Sequence, residues 1–308
     1  MLMAQPLMAR LRARLLAQSG GGRIDVVAPP WVAPVARRMP EVSEVIEADL
    51  RHGELQLGDR WRLGRTLKER GYDAAYVLPN TMKSALAPSF ARIPLRVGYL
   101  GESRVGLLNR IHGKGVQHEA MAVHYARLAG DPGSEPELPL PTPRLTTPRN
   151  DTAARFQIAG RYVVLCPGAE YGPAKRWPYF RELAAQLDAQ LVLLGSLSDQ
   201  KEAQQIPGRN LVGKTTLDEA IDLIAGASLV VSNDSGLMHV AAATGTPQVA
   251  LFGSSSPEHT PPLSPLARVV WLKVECSPCY ARVCPLGHLK CMNGLSVERV
   301  LAEIRAAA

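Results

Sequence analysis

The chain contains no apolar run of about 18 residues, so no segment can cross a bilayer as a single helix. Nor does its start resemble a secretory signal, because Met1 to Leu16 intersperses arginines among apolar residues without the charged-then-apolar order. Cysteine is scarce, with five in 308 residues, which fits a reducing compartment better than a disulfide framework. Blocks of like charge are also missing. The basic residues are dispersed, and Arg10, Arg12 and Arg14 form a solvated helix face more readily than a nucleic-acid footprint. A cytoplasmic globular protein that binds no nucleic acid is expected.

What is present points to an anionic partner. The formal charge is +7, which permits a phosphorylated sugar, an anionic lipid or a nucleotide without choosing among them. With 308 residues, 46% hydrophobic and 20% charged, the chain exceeds one typical core, and two domains are expected. Strand-like runs at Ile24–Ala28, Val42–Ala48, Ala74–Leu78 and Leu95–Tyr99 alternate with helical patterns at Trp31–Arg38, Arg60–Arg70, Met82–Ala91 and Glu119–Ala129. From Asp131 to Asn150 the composition turns proline-rich, which neither a helix nor a central strand tolerates. The expected division is a first domain over 1–135, a linker over 136–150 and a second domain over 151–308. In the second, strands are expected at 161–166, 190–195, 228–232 and 247–252, with a short one at Asn210–Val212. Helices are expected at Pro178–Leu187, Leu217–Ala225, Gly236–Thr244 and Ser296–Ala308. This βα alternation predicts an α/β fold of doubly wound, Rossmann-like domains.

The first domain opens unusually. Gln5 to Leu16 reads as a helix preceded by four residues, with neither the strand nor the glycine turn that normally opens a doubly wound domain. A chain that lacks its first strand and turn is therefore expected, through a start codon placed too late or through a deletion.

Two polar turns carry most of the chemistry. Cys166 to Pro178 follows the run Tyr162–Leu165, and Ser232 to His239 follows Leu229–Val231. Both stand at the carboxyl ends of predicted parallel strands, where open α/β sheets bind ligands. Together they offer helix N-termini, Lys175, an arginine, a carboxylate and glycines, a set suited to a nucleotide diphosphate. Asp234 or Ser235 could equally cap the following helix. Asn80 and Lys83, just past a strand end, are either a contact for acidic sugars or a helix cap and a surface charge.

The segments Pro167–Pro178, Ser232–Ala243 and Gly253–Leu263 closely resemble the ADP-heptose:lipopolysaccharide heptosyltransferases, nearest to those members that add the second inner-core heptose. Similarity also covers Ile24 to Lys83, including Met39–Val42 and Leu78–Ser84. The resemblance implies the GT-B fold, two Rossmann-like domains facing a cleft, with the nucleotide sugar held by the C-terminal one. It places Lys175 against the diphosphate, where an ammonium would stabilise departing ADP without a catalytic metal. Asp234 matches the family carboxylate at the donor sugar, Ser235 and Gly236 present a hydroxyl and an N–H at a helix start, and His239 matches a histidine near the phosphates. The acceptor falls to the N-terminal domain, with Asn80 and Lys83. The family's base is thought to be an aspartate after the first strand, so no numbered residue receives that role and the chain as written is expected to be a poor catalyst.

Cys276, Cys279, Cys284 and Cys291 are spaced like metal ligands, with His288 as a competitor. The readings are a structural zinc, free thiols or a disulfide pair. Cys166, ending an apolar strand, reads as a small buried residue.

The expected function is an inverting glycosyltransferase. It would move heptose from ADP-heptose to the inner-core heptose of a lipid-linked lipopolysaccharide acceptor, as a cytoplasmic protein in peripheral contact with the inner membrane. A related transferase using another nucleotide sugar, and a noncatalytic nucleotide-sugar binding protein, are the alternatives.

Overall fold

The structure is a computed structural model that describes residues 1–113, 115, 119–147 and 151–307, with no description of the Ser19 side chain. It divides into two compact units. Unit 1 comprises Met1, Met3–Arg37 and Glu41–Pro141, and unit 2 comprises Leu2, Arg38–Pro40 and Thr142–Ala308. The division thus falls between Pro141 and Thr142, inside the proline-rich stretch expected to link the domains. Leu145 N–H bonds the Ala243 carbonyl, and Thr146 N–H bonds the Arg38 carbonyl, which ties the end of that stretch to unit 2. Residues 148–150 of the expected linker lie outside the described residues.

Unit 2 is a six-stranded, wholly parallel sheet. Its strands are β6 (Tyr162–Cys166), β7 (Gln190–Leu193), β8 (Arg209–Asn210), β9 (Leu229–Asn233), β10 (Gln248–Phe252) and β11 (Ala267–Trp271), in the order β11-β10-β9-β6-β7-β8. The order reverses at the neighbours β6 and β9, the switch point where doubly wound sheets place ligands. Every residue of β6, β9 and β10 is buried, because helices cover both faces of a parallel sheet, and such strands read as unbroken apolar runs. Leu165, Leu193, Val231, Leu251, Phe180 and Met292 join one core, where burying each such side chain contributes about 1.5–3 kcal/mol. The helices of unit 2 are α6 (Thr152–Arg155), α7 (Phe180–Ala184), α8 (Gln200–Ala203), α9 (Leu217–Ala225), α10 (Gly236–Thr244), α11 (Lys290–Asn293) and α12 (Val297–Ala307). The start of α9 is fixed by a capping box, in which Thr216 accepts the Glu219 N–H and Glu219 accepts the Thr216 N–H. Arg38 bonds Asp218 at 2.9 Å and Asp222 at 2.5 Å, which explains why Arg38–Pro40 belongs to this unit.

Unit 1 has five strands, β1 (Asp25–Ala28), β2 (Glu44–Glu47), β3 (Ala74–Val77), β4 (Leu95–Tyr99) and β5 (Arg110–His112). They form two parallel sheets, β1-β2 and β3-β4-β5, with no ladder between the two among the described residues. Its helices are α1 (Gln5–Ser19), α2 (Ala33–Arg37), α3 (Leu57–Glu69), α4 (Leu86–Phe90) and α5 (Met121–Arg127). The single helix expected over 82–91 is instead a 3₁₀ turn, Met82–Ala85, followed by α4. Pro88 is the reason: it has no N–H to give to a carbonyl four residues back, so it can stand only in a first turn.

Candidate functional site

Lys175 ends a 3₁₀ turn, Pro173–Lys175, in the connection after β6, and Asp234 immediately follows β9. Because β6 and β9 are hydrogen-bonded neighbours, their carboxyl ends bring these residues together across 59 positions of sequence. The Lys175 ammonium donates to Oδ2 of Asp234 at 2.5 Å, and the Ser255 hydroxyl donates to the same oxygen at 2.5 Å. Ser255 stands just beyond β10, on the other side of β9. Asp234 and Ser255 are both buried. The Asp234 N–H bonds the Leu251 carbonyl, so its backbone is fixed by the sheet.

The turn that carries Lys175 is held at several points. Asn233 donates to the Pro167 carbonyl at 2.7 Å and accepts the Trp177 N–H at 3.1 Å, clamping both ends of the turn. The Trp177 indole donates to the Leu295 carbonyl at 2.8 Å while its ring packs in the core. Lys175 Nζ stands 4.7 Å from the centre of the Tyr171 ring, a cation–π contact that Arg282 shares at 5.3 Å. Two glycines are required by close approach. A Cβ on Gly168 would fall 2.1 Å from the Asp199 carboxyl carbon, and Gly172 has φ +149° with a Cβ position 2.5 Å from the Arg282 carbonyl oxygen.

Ser235 is the N-cap of α10, yet its side chain makes no capping hydrogen bond, and Asp234 is engaged with Lys175 and Ser255. Helix capping therefore does not account for either residue. Gly236 is exposed, and nothing stands within 4 Å of where its Cβ would be, so there is room beside the start of α10, next to Asp234. His239, one turn along α10, is kept neutral: burial lowers it to about 4, opposed by the Asp234 carboxylate and reinforced by the Lys175 ammonium. Lys175, Asp234, Ser235, Gly236 and His239 thus form one site in unit 2. Ser255, Tyr171, Asn233 and Arg282 belong to it as well. Ser255, Tyr171 and Asn233 lie in the motifs Gly253–Leu263, Pro167–Pro178 and Ser232–Ala243, which could have flagged them; no local signal marks Arg282.

Asn80 and Lys83 lie in unit 1. The Asn80 carbonyl accepts the Glu102 N–H, and Lys83 Nζ donates to the Glu54 carbonyl at 2.8 Å. The Lys83 carbonyl in turn accepts from Arg60, which also bonds the Leu55 carbonyl. These contacts tie the turn after β3 to the loop after β2.

The four clustered cysteines and His288 line a common cavity, and all five cysteines are free thiols. Among the described residues, no group of three or more His, Cys, Asp or Glu side chains is placed to hold a metal ion. Cys284 is lowered below the ordinary thiol value by N–H groups aimed at its sulfur, Leu289 first, then Leu286, Gly287 and His288. Cys166 is buried at the end of β6, and burial pushes its thiol up, as expected for a packed, inert residue.

The profile of glycosyltransferase family 9 (heptosyltransferase) matches residues 60–290, which include every residue of the unit 2 site. The chain belongs to that family. The relatives of this family 9 chain include lipopolysaccharide heptosyltransferase 2 of Escherichia coli K12, 42% identical over 99% of this chain and 94% of that protein. Lipooligosaccharide heptosyltransferase 2 of Haemophilus influenzae is 43% identical over 81% of this chain and 80% of that one. Among solved structures, E. coli ADP-heptose lps heptosyltransferase II superposes with a TM-score of 0.86 at 41% identity, covering all of this chain and 94% of that one. The family 9 chain is therefore a glycosyltransferase with the α/β, GT-B class of fold that the resemblance implied.

Proposed function

We propose that this chain transfers heptose from ADP-heptose to the inner-core heptose of lipopolysaccharide with inversion at the anomeric carbon. The observation that carries the reading is the Lys175–Asp234 pair at the switch point of the unit 2 sheet, in a family 9 chain with near full-length similarity to heptosyltransferase 2 proteins. The diphosphate would lie across the α10 N-terminus with Lys175 against it, so that fixed positive potential meets the charge that grows on departing ADP. Asp234 orients the ammonium, Ser255 orients Asp234, and neutral His239 offers a hydrogen bond without adding charge. In this scheme the ammonium does the work of a Lewis acid, so turnover requires no added Mg²⁺ or Mn²⁺. No residue is assigned as the base for the acceptor hydroxyl.

Acceptor recognition is assigned to unit 1, at Asn80 and Lys83. Contact with a membrane surface is assigned to the adjoining exposed stripe of α3, where Leu57 is 52% and Trp61 50% exposed and Arg65 lies over the Trp61 ring. Leu55, on the loop that Lys83 grips, extends the apolar part, and Arg62 and Lys68 flank it. Apolar anchors ringed by cations suit an anionic bilayer in which a lipid-linked acceptor sits.

The test is ADP release from ADP-heptose with a Kdo-lipid A acceptor carrying one heptose, beside UDP-sugar controls and with divalent cations omitted. Acceptor-dependent release from ADP-heptose alone supports the reading. Release from UDP-sugars instead, or donor binding with no transfer, sinks it.

A further inference from the structure

The loop between β11 and α12 carries Cys276, Cys279, Cys284 and Cys291, and its placement matters to the site described above. The four cysteines line one cavity together with Ala174 and Ser254, the chain neighbours of Lys175 and Ser255. Between the cysteines, the same loop supplies backbone acceptors to the lysine turn. The Tyr171 hydroxyl donates to the Tyr280 carbonyl at 2.5 Å, and the Ala174 N–H to the Arg282 carbonyl at 3.0 Å. Tyr280 N–H returns to the Ser254 carbonyl at 2.7 Å. The loop is thus stitched to the turns after β6 and β10, while none of its residues from Glu275 to Lys290 is buried, and Val283 and Leu286 are 66% and 61% exposed. A stretch of this length without a buried apolar side chain needs some other source of order.

We propose that Cys276, Cys279, Cys284 and Cys291 bind one zinc ion, and that this ion fixes the loop that positions the Lys175 turn. Four thiolates of mixed short spacing are the donor set of a closed tetrahedral site. His288 Nδ1 already accepts the Lys290 N–H at 3.0 Å, so that nitrogen is engaged within the chain. The four thiols line the cavity without closing on one point, and a bound dication would draw them together, displacing four protons as the metal–sulfur bonds form. The ion takes no part in the chemical step. Its effect on the donor passes through Tyr280 and Arg282.

The experiment measures metal and donor affinity separately, so the zinc site can fail while heptosyl transfer stands, and the reverse. The intact protein, purified from zinc-supplemented cells, is expected to contain about one zinc per chain by elemental analysis. Growth with Co²⁺ is expected to give the visible d–d bands and sulfur-to-metal charge transfer of a tetrahedral tetrathiolate. Cys276→Ser/Cys279→Ser is expected to lose the metal and to weaken ADP binding on the order of tenfold or more by calorimetry, as the lysine turn loosens. If that variant does not fold, removal of zinc from the wild type with a thiol reagent and a chromogenic chelator gives the same comparison. Trace metal only, or Co²⁺ spectra without thiolate bands, overturns the site. Unchanged ADP affinity after zinc loss overturns its link to Lys175.

Discussion

Lys175 and Asp234 form a buried ion pair at 2.5 Å in which the lysine side chain is 14% and the aspartate 5% exposed. Such a pair adds little net stability, since desolvation offsets the Coulomb attraction, whereas removing one partner strands the other. The pair is better understood as a pre-set charge. In the proposed function, Asp234 holds the ammonium in place until a diphosphate competes for it.

Lys175→Ala should therefore fail in two separable ways. It should lower kcat/KM on the order of 10²–10³-fold through lost leaving-group stabilisation. It should also destabilise the fold by about 3–5 kcal/mol, because Asp234 remains buried without its cation. Lys175→Ala/Asp234→Asn should recover most of the stability and none of the activity. Thermal melting beside ADP release measures both, and recovery of turnover in the double variant would refute the role of Lys175.

The pH dependence follows from His239. Its folded value, about 4, lies below the ordinary 6.5, with burial the largest cause, Asp234 opposing and Lys175 reinforcing. A histidine lowered by folding binds its proton more readily in the unfolded chain. Unfolding then takes up a proton between the two values, and stability falls as pH drops from about 6.5 towards about 4, by at most about 3 kcal/mol. Above 6.5 the contribution is flat. Melting temperature against pH should slope less steeply in His239→Gln than in the wild type across this window, and parallel curves would rule the effect out.

How much of this was legible in the sequence differs by burial. The strands β6, β9 and β10 are buried at every residue and announced themselves as apolar runs. β11 was missed because it is an edge strand whose exposed middle includes Arg268, and β5 because three residues with two basic side chains make no pattern. α11 lies within the cysteine motif and is one turn long, too short for a helical period. In the site, Lys175 and Asp234 were visible through their turns. The Ser255 hydroxyl on Asp234 and the Tyr280 carbonyl under Tyr171 join residues 21 and 109 positions apart, which no local spacing encodes.

Gly172 offers a test of the turn itself. With φ +149° and a Cβ position 2.5 Å from the Arg282 carbonyl oxygen, alanine there must both adopt a strained backbone and push the cysteine loop away. Gly172→Ala should cost about 1–3 kcal/mol. It should also weaken ADP binding more than Gly236→Ala, where the added methyl meets nothing within 4 Å. Calorimetric affinities for the two variants decide this, and equal affinities would show that the Arg282 contact does not position Lys175.

The α3 stripe makes the last prediction. Leu57 and Trp61 lie one turn apart, beside the buried row of Arg60, Gly64 and Leu67, and exposed Arg65 and Lys68 continue their stripe, while Arg62 stands further round the helix, paired with Asp59. Burial of an indole and a leucine in the interface contributes apolar area, while each cation near an anionic surface adds about 1 kcal/mol. Leu57→Ser/Trp61→Ala should therefore reduce sedimentation with phosphatidylglycerol vesicles at moderate salt. Arg62→Gln/Arg65→Gln should make the remaining binding less sensitive to salt. Turnover on a water-soluble acceptor should not change in the first pair, since neither side chain belongs to the donor site. Wild-type protein that binds neutral phosphatidylcholine vesicles as well as anionic ones would remove the electrostatic half of the argument, and unchanged sedimentation of the Leu57/Trp61 pair would remove the apolar half.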